Sequence, residues 1–122
     1  MSMREAAGAH GYEHLVAPVR PNWKQRYPLV PIERYVAWTN GDGQPFDPWL
    51  RTHARLGAAL VRPCHEAMRI EGTVAQWEDW AGMSFPESCD YVVPGALTLV
   101  SIDCEADHGL YVEPNVWMHH RI

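Results

Sequence analysis

The spacing of apolar and polar positions divides this chain into short elements whose period changes repeatedly. The plainest segment runs from Asp42 to Val61. Asp47 is placed to accept backbone N–H bonds as an N-cap. Pro48, at the first helical position, gives up only a donor that would be unpaired there anyway, so a helix is predicted from Pro48. Trp49, His53 and Leu56 follow at helical spacing with Leu50 and Ala54 beside them, which makes one face apolar but for a single imidazole. Gly57 permits the left-handed turn that closes a helix, and Ala58 to Val61 read as a buried strand. Trp49 and Leu56 are expected to be largely buried against that strand and Val16 to Val19, with His53 at the edge of the core.

The same reading extends along the chain. Ser2 to His10 is helix-prone, and His14 to Val19 form a short buried strand closed by Pro18 and Pro21. Asn22 to Pro31 are loop. Pro31 opens a helix with Ile32, Tyr35 and Val36 on one face and Glu33 and Arg34 on the other, ended by Asn40-Gly41-Asp42-Gly43. Met68 and Ile70 alternate with Arg69 and Glu71 as in a half-exposed strand. Thr73 and Gln76 form a capping box before a short helix to about Ala81, which Gly82 stops. Asp90 to Val93 and Leu97 to Ile102 are strand candidates, Glu105 to Gly109 a turn, and Leu110 to Val112 a return strand. Pro114 is expected to break the chain there, with Val116 to Met118 adding a last edge strand. The expected architecture is α+β: a small mixed sheet with short helices, residues 1–122 forming one domain around one core.

Composition narrows the function classes. Hydrophobic residues at 47% and charged residues at 20% are normal for a globular chain. A formal net charge of −5 disfavours nucleic acid as a partner. Arg20, Lys24 and Arg26 make one basic cluster, read as a solvated loop. No apolar run reaches the roughly 18 residues of a membrane span and Met1 to His10 lack a signal-peptide apolar region, so the expected location is cytoplasmic and off the membrane. Cys64, Cys89 and Cys104 are widely spaced and odd in number, which fits reduced thiols.

Seven histidines and three cysteines invite a test for metal, but no metal-ligand spacing occurs and none is expected. Cys64-His65 are neighbours in sequence, which is not the geometry of a nucleophile and its base. The aromatic set Trp23, Tyr27, Tyr35, Trp38, Trp49, Trp77, Trp80 and Trp117 reads as core or as the wall of a substrate pocket. Tyr27, Glu33 and His53 are the polar groups available to such a pocket, with Tyr27 and Glu33 as the candidate substrate-binding pair.

Thr52-His53-Ala54-Arg55-Leu56-Gly57-Ala58 resembles the leucine-tyrosine-x-lysine-x-glycine-phenylalanine signature near the end of GNAT-type N-acyltransferases. Gly72-Thr73-Val74-Ala75-Gln76-Trp77-Glu78-Asp79-Trp80, Pro94-Gly95-Ala96-Leu97 and Glu113-Pro114-Asn115-Val116-Trp117-Met118 are similar to the C-terminal part of larger bacterial GNAT-like proteins. The resemblance implies the C-terminal half of that fold, acyl-coenzyme A as acyl donor and a small-molecule amine as acceptor. His53 falls on the family's tyrosine, which protonates the departing thiolate, so it is the candidate catalytic residue; its other reading is a packed histidine bonded to backbone. Arg51 and Arg55, one turn apart, would meet acidic groups of coenzyme A or form a solvent face. Two departures stand out. The family's Arg/Gln-x-x-Gly-x-Gly/Ala turn, which holds pyrophosphate at a helix N-terminus, is not found, and its asparagine before this helix is Phe46. The expectation is therefore an acyltransferase part lacking the pyrophosphate-binding half, inactive alone and completed by a second copy or a complementary chain. The alternative is a non-catalytic binding or interaction module.

Overall fold

Strand β5, His108–Arg121, is the spine of the sheet. The computed structural model describes residues 14–121, so the helix expected over Ser2 to His10 lies outside the described residues. Along one edge β5 pairs with β2, Ala59–Gly72. Along the other it pairs with β1, His14–Val19, towards its C-terminal end and with β4, Val100–Asp103, towards its N-terminal end. Strand β3, Cys89–Tyr91, continues the sheet from β4. A 3-10 turn, Lys24–Arg26, and three helices accompany the sheet: α1, Ile32–Tyr35; α2, Pro48–Arg55; and α3, Val74–Ala81. The α+β class is as expected, with all pairings among the described residues antiparallel instead of mixed.

Pro114 does not break the chain as expected; β5 runs straight through it. The reason lies in the partner strand. The register of β2 on β5 jumps from Cys64 opposite Asn115 to Met68 opposite Glu113. His65, Glu66 and Ala67 bulge opposite Pro114, where no ladder donor is required of it. Val116 to Met118 are consequently not an edge strand but run between β1 and β2. The strands expected at Ala58 to Val61 and Met68 to Glu71 are likewise two ends of one strand, β2. Its first residues, Ala59 to Arg62, are exposed and not buried, because β2 pairs only with β5 among the described strands.

Two clusters of buried side chains replace the single core expected. Val19, Ile32, Leu50, Ala58, Val116 and Met118 form one, and Trp77, Phe85, Val93, Val100, Ile102 and Tyr111 the other. A 14-residue strand spans about 45 Å, too long for one cluster to cover. Buried positions on β5 fall on odd numbers at Tyr111 and Glu113 and on even numbers from Pro114 to His120. Side chains alternate across a strand, so the buried face changes over at Pro114.

The helix ends follow their local chemistry. Thr73 and Gln76 make the expected capping box, and Gly82 closes α3 with φ 66°. Asp47 caps α2 through the N–H groups of Trp49 and Leu50, and Gly57 follows it with φ 93°. The face that α2 buries differs from the expected one. Leu50 is 1% exposed, whereas Trp49 is 48% and Leu56 55% exposed. Leu50 and Ala54 sit about 100° around the helix from Trp49 and His53. The Asp47 carboxylate also accepts from Asn22 N, Trp23 N and the Tyr35 hydroxyl. Those bonds fix the start of α2 against the 3-10 loop and α1 with the Leu50 stripe turned inward.

Candidate functional site

His53, near the end of α2, meets His120, near the end of β5, with Nδ1 and Nε2 2.9 Å apart. One hydrogen occupies that line, donated by whichever ring carries it. His120 is buried, His53 is half-buried, and the exposed Trp49 stands edge-on to the His53 ring with centroids 4.8 Å apart. Burial, and then the neighbouring His120, hold the His53 pKa below the ordinary histidine value. The imidazole is thereby biased towards its neutral form, which suits it to accept a proton. The resemblance implied the other starting form, a ring that protonates the departing thiolate. His53 does lie at the edge of the core, but its side-chain partner is another imidazole.

A second polar group surrounds the stretch of β5 that lies between the ends of β1 and β4. Glu113, 3% exposed, accepts from Arg20 Nε and from the Tyr111 hydroxyl, each at 3.0 Å. The Tyr111 hydroxyl in turn accepts from Leu97 N, and Arg20 donates to Gly95 O. Burial, with the Glu113 charge, pushes the Tyr111 pKa up to about 12, so the hydroxyl stays a donor. These bonds tie the loop around Leu97 to β5 where no strand does so.

Lys24 belongs to this group and overturns the reading of its basic cluster as a solvated loop. It is 1% exposed, and its ammonium donates to Tyr27 O at 2.8 Å and Leu97 O at 2.6 Å. Arg20 is engaged with Glu113, and Arg26 lies over the Trp23 ring. Lys24 also lines a cleft of about 220 Å³ shared with Glu33, His65, Ile32, Val112 and Pro114. Glu33 pairs with His65 across 3.0 Å.

Glu33 is thus at a cleft, whereas the ring of its expected companion Tyr27 packs among Tyr35, Trp38 and Phe46. Tyr27 touches the same region through its carbonyl, which accepts from Lys24. The contacts of His53 are with Trp49 and His120, a different cluster. Arg51 donates to Pro45 O at 3.4 Å and Arg55 is exposed. Neither forms part of an anion cradle among the described residues. The N-terminal donors of α2 are taken by Asp47, and those of α3 by Thr73 and, through Val74 N, by Asp107. The two longer helices, α2 and α3, therefore do not offer free N-terminal donors to a pyrophosphate. Cys64, Cys89 and Cys104 are free thiols. No group of three or more metal-ligating side chains gathers among the described residues, and no described helix is long and apolar enough to cross a membrane.

Lys24 and His120 were the functional candidates that sequence reasoning missed. For His120 a signal existed: Val116, Met118 and His120 share one face of a strand, so the apolar stripe ends on a histidine. Lys24 had no comparable signal.

The chain is similar to the arginine N-acetyltransferase avaD of Aspergillus versicolor. The two are 35% identical over 139 residues, covering 99% of this chain and 48% of the relative. The chain thus spans about half the length of that curated relative. No protein-family model matches it, and no solved structure does.

Proposed function

We propose that this chain is the acceptor-side part of a GNAT-like N-acyltransferase, which transfers an acyl group from acyl-coenzyme A to an amine. The observation that carries the reading is the likeness to an arginine N-acetyltransferase along 99% of the chain. The name of that relative suggests a guanidino amino acid as the acceptor. An antiparallel sheet with short helices is compatible with the C-terminal portion of the GNAT fold.

His53 is the catalytic residue in this reading. Its depressed pKa favours the base role: the imidazole takes a proton from the acceptor nitrogen as that nitrogen bonds to the acyl carbon, and returns it to the departing thiolate. His120 fixes the ring by sharing the hydrogen at Nδ1. Arg51 and Arg55 remain candidate contacts for acidic groups of the donor. The N-terminal donors of α2 and α3 are taken up within the chain, so the donor's pyrophosphate site is completed at an interface with a second copy or a complementary chain. Trp49 and Leu56 at α2 and Leu60 and Val61 at the start of β2 are exposed apolar side chains, and such side chains favour a partner. The setting is cytoplasmic, with residues 1–122 folding as one unit.

The test combines binding and turnover. Calorimetry of the chain alone with acetyl-coenzyme A is expected to show no tight binding; a dissociation constant in the low micromolar range, about −8 kcal/mol, would require a donor site among these residues. Acylated product should form from acetyl-coenzyme A and amine acceptors when the chain is concentrated enough to self-associate, or is co-expressed with its neighbouring coding sequence. His53→Gln should lower that turnover about a hundredfold. Absence of product under both conditions would favour the non-catalytic binding module.

A further inference from the structure

We propose that the cleft between the 3-10 turn, α1 and strands β2 and β5 binds a small amino acid with a cationic side chain, Lys24 holding its carboxylate and Glu33 its cation. The inference goes beyond the acyl-transfer reading: neither His53 nor His120 lines this cleft, so it is a binding site apart from that histidine pair, and the binding follows from the chemistry of the cleft.

The floor carries the first argument. Lys24 is 1% exposed, and the partners of its ammonium are two backbone carbonyls, Tyr27 O and Leu97 O. An ammonium has three hydrogens, and these two bonds use two. Carbonyl oxygens solvate a cation but do not neutralise it, and among the described residues no carboxylate lies within ion-pair distance of Lys24. A buried charge is costly unless paired, and burial lowers the pKa of this amine accordingly. A ligand carboxylate in the cleft would supply the missing counter-charge in a place where water screens it little.

The rim carries the second. Glu33 Oε1 meets His65 Nε2 at 3.0 Å, and the two side chains are 53% and 61% exposed. The pair is not locked in place by burial, and the second carboxylate oxygen remains for an ammonium or guanidinium. Ile32, Val112 and Pro114 line the space alongside, an apolar wall suited to a methylene stem. At about 220 Å³ the cleft is smaller than pockets for drug-sized molecules and suits one small metabolite.

Calorimetry on the full chain, without any acyl donor, tests this with three probes. L-Arginine carries both charges, agmatine lacks the carboxylate, and L-citrulline lacks the side-chain cation. L-Arginine should bind about tenfold or more tightly than either. Glu33→Gln, at an exposed position, should bring L-arginine down to the affinity of L-citrulline. Lys24→Met should bring it down to that of agmatine and leave agmatine itself unchanged. Should Lys24→Met fail to fold, the probe series on the unaltered chain and Glu33→Gln still decide. Equal affinity for L-arginine and agmatine, no effect of Glu33→Gln, or no binding of L-arginine at millimolar concentration would each overturn the assignment. Since no acyl transfer is measured, failure here is distinct from failure of the catalytic reading.

Discussion

Replacing Asp47 tests the junction that aims α2. Its carboxylate accepts from five donors: Asn22 N at 3.1 Å, Trp23 N at 2.9 Å, Trp49 N at 2.9 Å, Leu50 N at 3.1 Å and the Tyr35 hydroxyl at 2.5 Å. Losing the two helix bonds in Asp47→Ala should cost about 1 kcal/mol, the usual worth of an N-cap. Tyr35 is 1% exposed, so its orphaned hydroxyl adds about 1–3 kcal/mol. The loop donors add about 1 kcal/mol more, since Asn22 is exposed and water can replace part of what it loses. Relief from burying the carboxylate offsets about 1 kcal/mol of this, which leaves a net loss of about 2–4 kcal/mol, a large share of a small domain's stability. Urea unfolding with an unchanged m-value measures it. Asp47→Asn should fall between, because the amide keeps one acceptor oxygen but presents hydrogens to Trp23 N and the Tyr35 hydroxyl. Tyr35→Phe alone should cost about 1 kcal/mol, and combined with Asp47→Ala less than the sum, since the orphan is then gone. A cost below about 1 kcal/mol for Asp47→Ala, or strict additivity with Tyr35→Phe, would show that the carboxylate is an ordinary surface cap.

Three further outcomes follow from burial, charge and exposed apolar surface. Leu50→Ala should cost about 2–5 kcal/mol and Trp49→Ala about 1 kcal/mol, because only the first empties a buried site; denaturant midpoints giving the reverse order would refute the observed roll of α2. The folded His53 pKa lies below its unfolded value, so the unfolded chain binds the proton more readily. Stability should accordingly fall as pH drops below about 6.5, until the folded pKa is passed. His53→Gln should flatten that fall between pH 7.5 and 5.5, and an unchanged slope would refute it. Sedimentation at high micromolar concentration should show self-association, which a clean monomer with a cooperative melt would contradict.

The parts of this fold legible in the sequence are those whose cause lies within a few residues. Asp47-Pro48, Thr73 with Gln76, Gly57 and Gly82 mark helix ends because each cap bonds to backbone within one turn. The extent of β5 was not legible, because whether Pro114 breaks a strand depends on the bulge at His65 to Ala67 in another strand. Nor was the roll of α2. Two stripes, Trp49-His53-Leu56 and Leu50-Ala54, are both apolar enough to face a core, and bonds from Asn22, Trp23 and Tyr35 to Asp47 choose between them.

The candidate sites divide the same way. His53 was legible as a lone imidazole on an apolar face, but what holds its pKa down is burial and then His120, 67 residues away, and only the fold joins them. Lys24 looked like a solvated charge because its neighbours Arg20 and Arg26 are charged too. Its burial depends on Leu97 O, 73 residues further on, held over β5 by the Tyr111 hydroxyl. Each site therefore takes its chemistry from a contact made by β5 or by the loop tied to it. A change that shifts β5 along β2 would move His120 relative to His53 and Val112 relative to Lys24 together. The bulge opposite Pro114 lies between those two positions and fixes that register. It is accordingly the structural element through which the histidine pair and the cleft are held in one arrangement.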